Sequence, residues 1–249
     1  MPATQLPFSR AEYARRLAKV RGAMAERGIE ALFVEDPSNM AWLTGYDGWS
    51  FYVHQGVIVL HDTDPIWWGR KQDANGAYRT VWMSEDRVHG YDDSYIQSPV
   101  RHAMQDLAER LRDLGHGAGR IGVELENYYF SAKAYLTLRE ALPEATFVDA
   151  TALVNWQRAV KSDEEVAFMR KAARISERII DGILERVEPG LNKNELVGEI
   201  LRDAARGEGD AWGDYAAIVP LLPSGADAAA PHLTWDGRPF AKGEATFFE

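Results

Sequence analysis

The N-terminal part of the chain alternates between short apolar runs and apolar residues at helical spacing. Five apolar runs, bounded by glycine, proline or polar turn residues, predict buried strands at residues 31–34, 56–60, 66–68, 121–124 and 146–148. Helical patterns at about residues 10–27, 100–114 and 131–142 separate several of these runs, and the first follows the capping box Ser9-Arg10-Ala11-Glu12. This alternation predicts an α/β domain with a sheet-centred core.

A second domain is predicted from the change of pattern near residues 154–161. Ser162-Asp163-Glu164-Glu165 forms another capping box, and a long helix then runs to Pro189-Gly190. Its predicted buried stripe consists of Val166, Met169, Ala173, Ile180, Leu184 and Val187. A further helix begins at Asn192, and apolar stretches within residues 213–235 and 243–249 predict two strands. The sequence therefore predicts an α/β domain over residues 1–157 and an α+β domain over residues 158–249.

The chain stops at Phe247-Phe248-Glu249, inside the last predicted strand. No turn, helix cap or polar tail follows that strand. We therefore expect the chain to be truncated at its C-terminus, with part of the second domain absent. A sheet cut at this point has an unpaired edge and an uncovered apolar face. If the protein is an enzyme, we therefore expect this 249-residue form to have little or no activity.

Composition excludes several classes of protein. The net charge of −10 repels nucleic acid, and the apolar runs fall short of the roughly 18 residues that span a bilayer. Met1 to Arg10 lacks the basic and apolar regions of a signal peptide, which favours a cytoplasmic location. The absence of cysteine excludes disulfides, thiolate metal ligands and a cysteine nucleophile. Eight tryptophans and ten tyrosines serve packing or line a pocket for a cationic ligand.

Local motifs for phosphate or zinc binding are absent, because the chain contains no GxGxxG, GxxxxGK[ST] or His-Glu-x-x-His pattern. The adjacent carboxylates Asp92 and Asp93 are expected to be solvated loop residues. Five histidines have no chemically suggestive neighbours in the sequence and are expected to be structural. They are His54, His61, His89, His102 and His116.

Two residues near the end of the chain have a more suggestive setting. His232 follows Pro231 in a loop of small residues, and Asp227 lies five positions upstream. Glu249 follows the apolar run 245–248, so a strand that favours burial ends in a carboxylate, which would need a partner or a shifted pKa. The alternatives are a packing or surface role for His232 and an outward-facing position for Glu249.

Longer segments resemble a known family over the whole chain. DPSNMAWLTGY (residues 36–46) is similar to the N-terminal domain signature of creatinases and Xaa-Pro peptidases. RAVKS (158–162) and VEPG (187–190) resemble the start and the end of the first helix of their C-terminal pita-bread domain. SGADAAAPH (224–232) resembles the loop that carries the active-site histidine of that family. The resemblance implies a creatinase-like α/β domain followed by an incomplete α+β pita-bread domain.

Four strings narrow the resemblance to a branch of this family that opens a cyclic amidine ring. They are DGWSFYVHQ (47–55), ENYYFS (126–131), NWQRAVKS (155–162) and the whole stretch 213–235. The branch implies a cytoplasmic homodimer and a small-molecule substrate, with no nucleic acid or membrane partner. His232 would supply acid/base catalysis, and Glu249 would attack the amidine carbon or activate water.

The same resemblance suggests which side chains contact the substrate. Trp49, Tyr52 and Tyr215 would line the pocket of a cationic ring together with Asp227, and Trp49 and Tyr52 would reach it across the dimer.

The expected chemistry uses no metal. The dinuclear peptidases carry an aspartate on the strand that here reads Phe247-Phe248-Glu249. The alternative function is an Xaa-Pro dipeptidase or aminopeptidase, for which the cofactor would be a pair of divalent metal ions. A non-enzymatic binding protein is the third possibility.

Overall fold

The computed structural model of the protein describes residues 6–249. The first five residues, part of the segment that we judged unlike a signal peptide, lie outside this range. The chain divides into two units, Met1–Val160 and Lys161–Glu249, which are described separately.

In the described part of the first unit, six strands form one mixed sheet. They are β1 (Ala31–Val34), β2 (Gly56–Leu60), β3 (Ile66–Arg70), β4 (Val88–Tyr91), β5 (Arg120–Val123) and β6 (Thr146–Asp149). Their order across the sheet is β4-β3-β2-β1-β5-β6. β2 pairs antiparallel with both β1 and β3, whereas the β3–β4, β1–β5 and β5–β6 pairs are parallel.

Helices accompany the strands of the first unit. They are α1 (Arg10–Glu26), α2 (Pro37–Thr44), α3 (Ala74–Thr80), α4 (Ala103–Asp113), α5 (Ala132–Ala141) and α6 (Leu153–Ala159). Alternate residues of β1 belong to two different core clusters, because successive side chains of a strand point to opposite faces. Leu32 packs in the cluster that contains Val20 of α1, and Phe33 packs in the one that contains Leu107 of α4. Both faces of the sheet are therefore covered, which explains why its central strands read as continuous apolar runs.

The five predicted strands and the three predicted helices of this unit are confirmed. Strand β4 was not predicted, because Val88-His89-Gly90-Tyr91 has only two apolar residues and lies at the edge of the sheet. Helices α2, α3 and α6 were not predicted either. Each has only seven or eight residues, too few for the helical period to be distinct.

The second unit is built on two helices, α7 (Asp163–Arg186) and α8 (Lys193–Arg206). The predicted capping box of α7 is confirmed: Ser162 Oγ accepts from the Glu165 amide at 3.2 Å, and a Glu165 carboxylate oxygen accepts from the Ser162 amide at 2.7 Å. The core of this unit consists of Ile183, Leu196, Val197, Ile200, Leu222 and Phe240. None of the described helices of either unit has the length and apolar character to cross a membrane.

The buried stripe predicted for α7 is partly wrong. Met169, Ile180 and Leu184 are 54%, 55% and 69% exposed, and the buried residues of the C-terminal half of α7 are Gly182 and Ile183. The helix therefore packs through a face rotated from the predicted one.

The two strands predicted in residues 213–249 do not form as regular strands. Over these residues, all of which the structure describes, extended segments 221–224 and 245–249 pair instead through a few hydrogen bonds and one isolated antiparallel bridge, between Ser224 and Thr246. Pro220 and Pro223 lack the amide hydrogen that a continuous ladder requires, which explains the interruption.

Candidate active site

The extended segment 221–224 organises the region that contains His232 and Glu249. The Leu221 amide donates to the Glu249 carbonyl at 2.9 Å, and the Leu222 amide donates to the Thr234 carbonyl at 2.7 Å. Successive amides of an extended chain point to opposite sides, so the His232 loop and the Glu249 segment flank this segment on its two sides. The two flanking backbones are therefore two inter-strand spacings apart, about 10 Å, with segment 221–224 between them.

His232 lies in the loop that follows a short 3-10 helix, Gly225–Ala229. The Leu233 amide donates to the Ala230 carbonyl at 3.2 Å and turns the chain around the histidine. The His232 ring is exposed. An exposed ring at a fixed turn is open to a ligand on the side of the loop away from the core.

Glu249 pairs with Leu221 in both directions, since its own amide donates to the Leu221 carbonyl at 3.2 Å. Directly paired residues point their side chains to the same face, and the next pair, Leu222 and Phe248, points to the other. Leu222 belongs to the core, the Phe248 ring lies 6.2 Å from that of Phe240, and Leu221 is only 4% exposed. Glu249 itself is exposed, which agrees with the outward-facing alternative for this carboxylate.

A cavity of about 230 Å³ opens beside the His232 loop. Its lining consists of Leu222, Pro223, Asp227, Leu233, Thr234, Trp235 and Asp236. Asp227 and Asp236 both accept hydrogen bonds from the Arg238 side chain. Arg238 Nε donates to Asp236 Oδ2 at 2.8 Å. The hydrogen bonds and charge of Arg238, together with Lys193, lower the pKa of Asp236 to about 2. The two carboxylates in this wall of the cavity are thus already paired with the guanidinium group of Arg238.

The remaining predicted pocket residues lie on exposed segments. Tyr215 is exposed and precedes the extended segment 221–224. Trp49 and Tyr52 belong to the first unit, are 61% and 64% exposed, and have ring centroids 6.3 Å apart. Asp227 and His232 thus belong to the loop on one side of segment 221–224, the Glu249 backbone pairs with its other side, and Trp49 and Tyr52 lie together in the first unit.

The structure groups two histidines that the sequence left without neighbours. His54 Nδ1 lies 2.6 Å from Glu35 Oε1, and the His54 and His102 ring centroids are 4.9 Å apart. Burial raises the pKa of Glu35 to about 7, partly offset by its hydrogen bond with His54. Burial and the neighbouring His54 lower the pKa of His102 to about 4. Glu35, His54 and His102 are 19 to 67 positions apart in the sequence, and only the fold brings them into contact. No local sequence pattern therefore indicates this cluster.

The donors near His232 do not form a metal site. No group of three or more histidine, aspartate or glutamate side chains in residues 6–249 is arranged to hold a metal ion. The two carboxylates nearest the cavity, Asp227 and Asp236, are both bonded to Arg238. The donors within residues 6–249 therefore do not by themselves supply the ligand set of a dinuclear metal site.

Comparison with known proteins identifies related sequences for both units. The family model described as "Creatinase/Prolidase N-terminal domain" matches residues 16–160, and that described as "Metallopeptidase family M24" matches residues 167–249. The chain is 56% identical to the ectoine hydrolase of Halomonas elongata over 98% of its own length. It is 38% identical over 94% of its length to an uncharacterized hydrolase/peptidase of Sinorhizobium fredii.

The chain is shorter than these relatives, spanning 63% of the first and 60% of the second. The crystal structure of a prolidase from Thermococcus sibiricus superposes with a TM-score of 0.77 at 17% identity, covering 95% of this chain and 60% of that one. This likeness shows the fold: an N-terminal domain of the creatinase type followed by part of a pita-bread domain.

Proposed function

We propose, from the premise that the chain belongs to the creatinase and prolidase family, that the whole protein is an ectoine hydrolase. It would open the cyclic amidine of ectoine to an N-acetylated diaminobutyrate during the breakdown of this compatible solute. The observation that carries the proposal is the 56% identity to the ectoine hydrolase of Halomonas elongata over nearly all of this chain.

The position of His232 and Glu249 on either side of segment 221–224 supports the proposal. Hydrolysis of an amidine forms a carbon–oxygen bond at the amidine carbon and breaks one carbon–nitrogen bond, and the departing nitrogen takes up a proton. His232 would deliver that proton, because a histidine side chain is the commonest general acid and base in enzymes. Glu249 would attack the amidine carbon or take a proton from the attacking water. These roles need two groups on opposite sides of a small ring.

The anionic and aromatic side chains around this region suit a delocalised cationic ring. Asp227 would lie in the wall of the pocket, and Trp49, Tyr52 and Tyr215 would supply aromatic faces. The two residues of the first unit would reach the ring across a homodimer. We expect this dimer to be cytoplasmic, as the resemblance to the family implies.

Ectoine turnover tests the proposal on the protein in its full natural length. Ring opening is followed by the appearance of the N-acetylated product in mass spectrometry. We expect wild-type turnover, loss of it in His232→Ala, and retention in His116→Ala, a matched control in the first unit. Absence of turnover by the wild-type protein would overturn the proposal.

A second candidate function is the hydrolysis of Xaa-Pro peptides. The match of residues 167–249 to the metallopeptidase family M24 favours it. Incubation of the same protein with an Xaa-Pro dipeptide and manganese is the test. Release of proline, together with no turnover of ectoine, would make this the function.

A further inference from the structure

The loop that carries His232 is closed by ion pairs between its two ends. Asp227 lies before the histidine and Arg238 after it, and a guanidinium nitrogen of Arg238 bonds to Asp227 Oδ2. Arg238 also bonds to Asp236 through Nε at 2.8 Å, while its own amide donates to Asp236 Oδ1 at 2.8 Å. One arginine thus joins both ends of the loop.

The closed loop is anchored to α8 through Lys193. Its ammonium lies 3.3 Å from Asp236 Oδ1, and its amide donates to the Arg238 carbonyl at 3.2 Å. The Lys193 side chain is only 3% exposed. A buried ammonium without its carboxylate is strongly unfavourable, so Asp236 is held at this position.

The four charges alternate along the network, from Lys193 through Asp236 and Arg238 to Asp227. A single exposed ion pair adds little to stability. In this network the buried Lys193 fixes the position of Asp236, and Asp236 in turn limits the movement of the exposed Arg238 side chain. Two backbone hydrogen bonds lie within the loop that the network closes: the Leu222 amide donates to the Thr234 carbonyl, and the Leu233 amide donates to the Ala230 carbonyl. His232 lies between the residues that make them.

We infer that Lys193, Asp236, Arg238 and Asp227 form an ion-pair clamp that positions the His232 ring for proton transfer. The role in catalysis rests on the proposed function; the clamp itself does not. Asp227 acts through the position of the loop, as a positioning residue, and its carboxylate is not required to contact the substrate.

Hydrogen exchange tests the clamp without any substrate. Arg238→Gln should accelerate exchange of the Leu222 and Leu233 amides about fivefold, the effect that an ion pair of this exposure supports. Arg238→Lys should restore part of the protection. Arg178→Gln, which removes the ion pair to Glu208 elsewhere in the same unit, is the matched control and should leave both amides unchanged. Unchanged exchange in Arg238→Gln would overturn the clamp, whether or not the protein turns over ectoine.

A kinetic cycle on the full-length protein separates a positioning role for Asp227 from substrate contact. If Asp227 acts through the clamp, Asp227→Asn and Arg238→Gln should each lower kcat about fivefold and leave KM unchanged. The kcat of the double variant should then be no lower than that of either single variant. A rise in KM confined to Asp227→Asn, with additive effects in the double variant, would overturn the positioning role and support substrate contact. Lack of ectoine turnover in the wild-type protein refutes the proposed function only, because the exchange experiment still decides the clamp.

Discussion

Replacement of Glu35 by glutamine should remove a pH dependence from the stability of the first unit. Glu35 directly follows the central strand β1, and its side chain is 2% exposed. One oxygen lies 2.6 Å from His54 Nδ1, and the other has no hydrogen-bond partner among residues 6–249. Glu124 is the other charged group close to it. Glutamine preserves the shape and stays neutral at every pH.

The size of the effect follows from the raised pKa of Glu35. The folded pKa of about 7 exceeds the ordinary value of 4.5 by about 2.5, which at about 1.4 kcal/mol per pKa unit corresponds to about 3 kcal/mol. The folded protein retains this proton to a higher pH than the unfolded chain does. The stabilisation from protonated Glu35 is therefore complete below pH 4.5 and is lost as the pH rises through about 7.

Urea unfolding between pH 4.5 and 8, followed by tryptophan fluorescence, measures this difference. Six of the eight tryptophans lie in the first unit, and Trp67 and Trp68 are fully buried there. Relative to Glu35→Gln, the wild-type free energy of unfolding should fall by about 3 kcal/mol across this range. Glu140→Gln makes the same substitution at an exposed position of α5. Its free energy of unfolding should differ from that of the wild type by the same amount at every pH. Parallel curves for wild type and Glu35→Gln would refute the assignment of a raised pKa to Glu35.

Four further predictions concern the domain division and the proposed catalysis. Limited proteolysis should cut near residues 160–162, where Val160 and Lys161 are exposed, and leave a stable fragment of the first unit on a denaturing gel. In the full-length enzyme, His232→Ala should lower kcat about a hundredfold while the melting temperature hardly changes, and the reverse result would make His232 a packing residue. Glu249→Gln should abolish turnover because it removes the nucleophile or base. A chelator should leave wild-type activity intact, whereas loss of activity with recovery on adding manganese would favour the peptidase alternative.

Most of the first unit could be predicted because its strands are buried on both faces. A run such as 56–60 is apolar at every position, and glycine, proline or aspartate limits most of these runs. Helix α2 was missed although its boundaries are written in the sequence: Asp36 caps it, Pro37 occupies its first turn, and Gly45 ends it with a φ of 79°. We interpreted Asp36-Pro37 only as the end of a strand. The short, mostly buried helix has no polar face to reveal its period.

The candidate site was predictable only where it is local in the sequence. Asp227 and His232 share one loop, and the resemblance to the family located that loop before the structure did. Lys193, which anchors the loop, is 43 residues from Asp236 in the sequence, and in the first unit Glu35 is 19 residues from His54. Neither pair has a spacing that marks it, because only the packing of distant segments brings the charges together.

Helix α7 shows why a regular apolar stripe can identify a helix and still mark the wrong buried face. The helix has two apolar stripes, one with Met169, Ile180 and Leu184 and another with Ile179 and Ile183, and the helical period fits both. Gly182 distinguishes them. A side chain there would collide with Arg186, whose guanidinium bonds to the Gly182 carbonyl at 2.8 Å and lies 3.7 Å from Asp203 of α8. A glycine inside a helix is unfavourable unless something packs closely over it, so its position indicates the face that α8 covers.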